Sequence, residues 1–259
     1  MNRLDKLFTQ KPENILSVYF TAGYPQLDDT QTIIKTLAEC GADIIEIGIP
    51  FSDPLADGPV IQKSNDTALR NGMNLKLLFN QLKNIRKETE IPLLLMGYIN
   101  PVMQYGFEEF CVKSNEIGID GLILPDLPPY IYLKEYKYLF EKHNMSVVFL
   151  VTPETSDKRV KEIDSISSGF VYLVSSSSTT GVKEDIEREQ LEYFKRIESL
   201  NLRNPRLIGF GISNYKTFKR ACQYASGAII GSAFIKALAN NGDLKKNIKA
   251  FIGTIKNSN

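Results

Sequence analysis

Three carboxylates, Glu46, Asp53 and Asp57, fall in the stretch IIEIGIPFSDPLADGP. Glu46 stands among isoleucines. A carboxylate in apolar surroundings is costly to keep charged, so burial raises its pKa toward neutrality. That is the property a general acid/base needs at neutral pH. The competing role is structural, a glutamate paired with a distant Arg or Lys. The two aspartates sit in PFSDPLADGP, where Pro50, Pro54 and Pro59 restrict the backbone and remove N–H donors. Either aspartate could be a second reacting carboxylate on a stiffened loop. Taken alone, each reads more readily as a turn residue, since Asp before Pro or Gly is common turn chemistry.

A second set of residues lies late in the chain. GFGIS (209–213), GSAF (231–234) and STTGV (178–182) are glycine-containing turns. Glycine lets backbone N–H groups approach an anion, and a following helix N-terminus adds a favourable dipole. Two such turns near the end of the chain point to a phosphorylated small molecule.

The elements that must position these residues are legible as short apolar runs alternating with helical patterns. Runs at 15–23, 43–50, 91–98, 121–126, 146–153, 170–177, 206–213 and 227–234 read as strands. They are nearly continuous apolar segments, as expected for parallel strands covered on both faces. Between them, Leu75, Leu78, Phe79, Leu82 and Ile85 fall at helix spacing, as do Leu191, Phe194 and Ile197. Eight strand–helix units in 259 residues predict an α/β fold, a (β/α)8 TIM barrel forming a single domain over 1–259. An open doubly wound sheet is the alternative. Extra helices and long loops are expected after strands two and six, with a loop at 51–60 and a helix around Ser64–Arg70. In such a barrel the chemistry lies at the C-terminal ends of the strands, and phosphate binds after strands seven and eight. Glu46 is near the end of strand two. If it faces the interior, so do Ile44 and Gly48 by alternation.

Composition narrows the field. The net charge is +1, which gives no reason to expect nucleic acid or a membrane surface as partner. No apolar run reaches bilayer length, and MNRLDKLFTQKPEN lacks a signal-peptide core. The three cysteines, Cys40, Cys111 and Cys222, are scattered and read as buried free thiols. A chain without a signal peptide, in a bacterial cytoplasm or an organelle stroma or matrix, is expected. No strand carries a lysine, which argues against a Schiff-base aldolase. The one histidine, His143, precedes strand five, at the wrong end of a barrel for catalysis. Without a His/Cys cluster no metal site is expected.

Over nearly its whole length the chain resembles the tryptophan synthase alpha chain family. The motifs are EIGIPFSDPLADGPVIQ, VYFTAGYP (18–25), GYINPVMQYG (97–106), DGLILPDLP (120–128), GFVYLVSSSSTTG (169–181), GFGIS and GSAF, in that order. The resemblance implies retro-aldol cleavage of indole-3-glycerol phosphate to indole and glyceraldehyde 3-phosphate, with no cofactor. It implies Glu46 as general acid/base and Asp57 as acceptor of the indole N–H. It also implies Phe20, Tyr98, Ile123, Tyr172 and Thr180 as substrate-binding residues. Gly181, Phe210, Gly211, Gly231 and Ser232 take the phosphate positions.

The sequence departs from some relatives at Ser176 and Ser178, where an arginine and a glycine can stand. This leaves closure of the loop after strand six less defined than the chemistry. The implied partner is a pyridoxal-phosphate-dependent beta chain in an alpha2-beta2 tetramer that receives the indole. It would face the loop 51–59, with Asp53 and Pro54, and the segment Asn100–Gln104. A free-standing lyase that releases indole is the alternative.

Overall fold

In the computed structural model, residues 2–174, 188–209 and 211–257 are described. The strands are β1 (Ile15–Thr21), β2 (Ile44–Gly48), β3 (Leu93–Met96), β4 (Gly121–Ile123), β5 (Ser146–Val148 and Leu150–Val151), β6 (Val171–Val174), β7 (Arg206–Gly209) and β8 (Gly227–Ile230). All pairings between them are parallel. β5 is interrupted at Phe149. Its first piece pairs with β4 and its second with β6, so one strand joins the two ends of the sheet and the ring closes into a barrel. The open-sheet alternative is thereby excluded.

The strands are shorter than their apolar runs. β8 stops at Ile230, and Ser232–Leu238 is already helix, so GSAF is a turn and a first helical turn and not strand. The helix expected around Ser64–Arg70 starts earlier, at Pro59. Proline suits the first helical position, where its missing N–H costs nothing. The segment between β6 and the helix Arg188–Ser199 lies outside the described residues.

Alternation along the strands builds two layers. Ile15, Ile44, Leu94, Ile123, Val148, Phe170, Leu207 and Ile229 form one buried cluster inside the ring. Their chain neighbours, such as Leu16, Ile45, Leu95 and Leu122, pack outward against the helices. Because both faces are covered, every residue of β1 and β2 is buried. The helix Arg3–Gln10 closes the bottom of the barrel, with Leu4 fully buried against the inner cluster and Leu7 and Phe8 beside it. Asn2 caps that helix and donates to the Ser146 hydroxyl at 2.9 Å and to the Asp120 carbonyl at 3.2 Å. Burying a leucine is worth about 2 kcal/mol, so Leu4 and its cap anchor the plug.

His143 follows the helix Lys137–Lys142 as its C-cap and precedes β5, at the end of the barrel away from Glu46. Of the cysteines, Cys111 is buried, while Cys40 and Cys222 are half-buried; all three are free thiols. No described helix is long and apolar enough to cross a membrane.

Candidate active site

Glu46 shares the inner face of β2 with Ile44, and Ile44 belongs to the inner cluster. The carboxylate is 0% exposed. Its Oε1 accepts a hydrogen bond from the Ser17 hydroxyl at 2.7 Å. Its Oε2 has no partner among the described residues. Burial pushes the Glu46 pKa up to about 7, against the Ser17 hydrogen bond, which lowers it. No Arg or Lys is paired with it among the described residues, so the structural-glutamate role is not the one this site displays.

The loop after β2 is held rigidly. Asp57 N–H donates to the Pro54 carbonyl at 3.0 Å, and Gln62 Nε2 donates to the Asp57 carbonyl at 2.8 Å. The helix Pro59–Arg70 that starts after Gly58 is in turn fastened to β1 by Thr21 and Ser64, whose hydroxyls lie 2.6 Å apart. Tyr98, at the end of β3, reaches this loop. Its hydroxyl accepts from Ala56 N–H at 3.0 Å and donates to Asp57 Oδ2 at 3.4 Å, while its ring lies 5.1 Å from that of Phe51. Burial raises the Asp57 pKa to about 6, with the Tyr98 hydrogen bond acting in the opposite sense. Asp53 is exposed; its carboxylate accepts from the Ser52 hydroxyl and its carbonyl from Leu55 N–H at 2.9 Å, which is turn chemistry.

The two carboxylates converge on the same tyrosines. Tyr172, on the inner face of β6, is half-buried; burial first, then the nearby charges of Glu46 and Asp57, holds its pKa well above 10.0. Tyr19, on the inner face of β1, is raised by burial and then by Asp57 and Glu46. Glycine makes room for both rings. A Cβ on Gly48 would meet the Tyr19 hydroxyl, and one on Gly209 the Tyr172 hydroxyl. Ile123 is buried in the same inner cluster, with Met96 and Tyr172 packed against it.

Phe20 is not part of this chamber. Tyr19 and Phe20 are consecutive in β1, so they face opposite sides of the wall, and Phe20 lies in the outer core at 0% exposure. A one-residue slip exchanges the two faces of a strand. The inward aromatic of β1 is Tyr19. Sequence reasoning missed Tyr19, Ser17 and Met96. The signal for Ser17 and Tyr19 was the alternation of SVYFT, and for Met96 that of LLLM, but the phase was open until β1 and β3 were registered on β2, with Tyr19 opposite Glu46 and Met96 opposite Gly48.

The late glycines lie at the same end of the barrel. Gly231 follows β8 and precedes the helix Ser232–Leu238, whose first turn has N–H groups free of helical partners. Gly211 follows β7 with φ +75°, a conformation glycine adopts without cost, and among the described residues nothing stands within 4 Å of where its Cβ would be. Thr180, Gly181, Ser176, Ser178 and Phe210 lie outside the described residues. Among the described residues no group of His, Cys, Asp and Glu is arranged to hold a metal ion.

This arrangement supplies one carboxyl poised to exchange a proton near neutral pH and a second carboxylate on a rigid loop. Aromatic walls lie between them and open backbone turns at the rim. Known proteins are similar to this chain over nearly its whole length. The family profile described as "Tryptophan synthase alpha chain" matches residues 6–257. A tryptophan synthase alpha chain of Flavobacterium psychrophilum is 59% identical over 242 residues, 93% of this chain and 95% of that one. The solved tryptophan synthase subunit alpha from Legionella pneumophila superposes with a TM-score of 0.88 at 33% identity, covering 98% of this chain and 97% of that chain. A crystal structure of tryptophan synthase from M. tuberculosis, in its aminoacrylate-bound form, gives a TM-score of 0.86 at 29% identity, with 98% of each chain covered.

Proposed function

The chain belongs to the tryptophan synthase alpha chain family, whose members are lyases that work with a beta chain, and from that premise we propose its reaction in atomic terms. The substrate is indole-3-glycerol phosphate, and the step is a retro-aldol cleavage. Protonated Glu46 delivers its proton to indole C3, and the carboxylate so formed takes the proton of the hydroxyl on the carbon attached to C3, so Glu46 ends the cycle protonated as it began. The O–H pair becomes the aldehyde C=O, and the pair of the breaking carbon–carbon bond returns to the indole ring. Asp57 accepts a hydrogen bond from the indole N–H and stabilises the positive charge that C3 protonation places on the ring. Tyr19, Tyr98, Ile123 and Tyr172 line the indole and glycerol chamber, and the resemblance adds Thr180 to the substrate-binding residues. Gly211, Gly231 and Ser232 hold the phosphate through backbone and hydroxyl donors, with Gly181 and Phe210 beside them by resemblance. The whole chain works as one barrel domain and uses no cofactor.

The observation that carries this reading is the state of Glu46: fully buried, one oxygen fixed by Ser17, the other without a partner among the described residues, and a pKa near 7. A carboxyl with that pKa serves as both acid and base within one turnover.

The beta chain docks on the rim around the loop 51–59 and Asn100–Gln104. Exposed apolar side chains support this face. Leu55 is 90% exposed and Met103 54%, with Tyr130 and Leu133 on the neighbouring segment after β4. Apolar groups of this size exposed together mark an interaction surface. Two alpha and two beta chains form the assembly in this reading.

The test is release of indole from indole-3-glycerol phosphate, by the chain alone and with a beta chain added. Weak activity that rises on addition supports the partnered lyase. High activity that the beta chain leaves unchanged supports the free-standing lyase and removes the docking assignment. No cleavage in either arm overturns the reaction.

A further inference from the structure

Ser17 occupies an interior position of β1 at 0% exposure, flanked in register by Ile44 of β2 and Ile229 of β8 and along its own face of the strand by Ile15 and Tyr19. It is paired in register with Ile44, so it lies on the inner face diagonally below Glu46, which pairs with Tyr19. A buried hydroxyl is costly unless hydrogen-bonded. This one makes its described side-chain bond to a single partner, Glu46 Oε1, at 2.7 Å. A serine hydroxyl has one proton to donate. Committing it to Oε1 distinguishes the two oxygens of a carboxyl that is otherwise symmetric, and Oε2 is left without a partner among the described residues.

We propose that Ser17 is a positioning residue for the reaction proposed above: it fixes the Glu46 carboxyl plane by holding Oε1, so that Oε2 is the oxygen that takes and returns the proton. The bond survives both states of the cycle. When Glu46 is ionised, Ser17 donates to a carboxylate oxygen; when Oε2 is protonated, Ser17 donates to the remaining carbonyl oxygen. Turnover therefore needs no rotation of either side chain. The bond also favours the charged state, against burial, and it is the one described group that does so. The titratable groups that face Glu46 from other positions are Tyr19 on β1 and Tyr172 on β6, with Asp57 on the loop beyond. Both tyrosines stay neutral across the working range, so neither replaces Ser17 in balancing the charge.

The inference rests on the proposed role of Glu46, and two readouts separate the two claims. The first is the carboxyl titration of Glu46 by 13C NMR on the full chain, assigned by its loss in Glu46→Gln. The second is the pH profile of kcat for indole release in the presence of the beta chain. In Ser17→Ala the Glu46 titration and the corresponding limb of the profile move to higher pH. kcat falls roughly 10- to 100-fold, the scale of a misplaced reacting group, while KM is unchanged because Ser17 does not touch substrate. Ser17→Cys keeps the volume but donates weakly. It shifts the titration in the same direction by less, and it gives the reading if the alanine variant is unstable. An unmoved titration in both variants overturns the inference. So does a fall in kcat without a moved profile, which is what mere loss of packing would give. If the wild-type chain cleaves no indole-3-glycerol phosphate, the proposed reaction fails, and the NMR titration still decides whether Ser17 controls the Glu46 proton.

Discussion

Tyr98 ties Asp57 to the barrel. Its hydroxyl accepts from Ala56 N–H at 3.0 Å and donates to Asp57 Oδ2 at 3.4 Å, so a residue at the end of β3 sets the position of a carboxylate on the loop after β2. The carboxylate reaches the chamber from a loop, and the loop is fixed there by Tyr98, by the Asp57 N–H bond to the Pro54 carbonyl and by Gln62 on the Asp57 carbonyl. Asp57 acts in the proposed reaction only while ionised. Its folded pKa is raised to about 6 by burial, so the rate is expected to fall as pH drops through that value. Asp57→Ala is expected to lower kcat by about 10²- to 10³-fold, the usual cost of a lost transition-state partner. A rise in KM at unchanged kcat would instead assign Asp57 to ground-state binding.

Glu46→Gln is expected to lose cleavage by at least about 10²-fold while binding a non-cleavable substrate analogue as well as the wild type. Substantial residual turnover would remove Glu46 from the chemistry.

The same variant makes a stability prediction with a definite sign. Burial raises the Glu46 pKa from 4.5 to about 7 in the folded chain, so folding favours the protonated form. The contribution of Glu46 to stability is therefore greatest below the unfolded pKa and is lost as pH rises through about 7. Glu46→Gln removes that loss. It is expected to be more stable than the wild type by about 3 kcal/mol at pH 8, with the gap closing toward pH 4.5. Urea denaturation at several pH values measures this, and a gap independent of pH would contradict it.

Tyr19 and Phe20 predict opposite phenotypes from adjacent positions. Phe20 is in the outer core, so Phe20→Ala is expected to cost about 3–5 kcal/mol of stability and to leave KM unchanged in the folded fraction. Tyr19→Ala opens the chamber and is expected to raise KM. Measuring both constants together with Tm distinguishes them.

Gly209 leaves the space that the Tyr172 hydroxyl fills, and a Cβ there would stand 2.3 Å from that oxygen. Gly209→Ala must displace the ring or the strand, at about 1–3 kcal/mol, and is expected to weaken substrate binding with it. An unchanged KM would mean that Tyr172 is not part of the chamber wall.

Leu55 is 90% exposed, so Leu55→Asp should leave stability within about 0.5 kcal/mol. In the presence of the beta chain it is expected to weaken association, read as a higher beta-chain concentration for half-maximal activation. An unchanged titration would move the docking face elsewhere.

The order of strands and helices was legible in the chain because each apolar run carries its own period and its own punctuation. So were Glu46, Asp57 and Tyr98, whose types are conspicuous where they stand: a charge among isoleucines, an aspartate between prolines, an aromatic after an apolar run. Strand ends were less legible. Ile230 ends its strand earlier than the apolar run suggests, because the run GAIIGSAF continues through Gly231 into the helix Ser232–Leu238, where Phe234 is again buried.

Sequence alone thus determined the parallel α/β pattern and the residue types that could do proton chemistry. The tertiary structure decided which way each strand faces. That is a matter of register between strands far apart in the chain, and it turned Phe20 outward and brought Tyr19 opposite Glu46. It also decided the protonation of Glu46. A pKa depends on burial and on the neighbour that packing supplies, and here that neighbour is Ser17, 29 positions away in the chain.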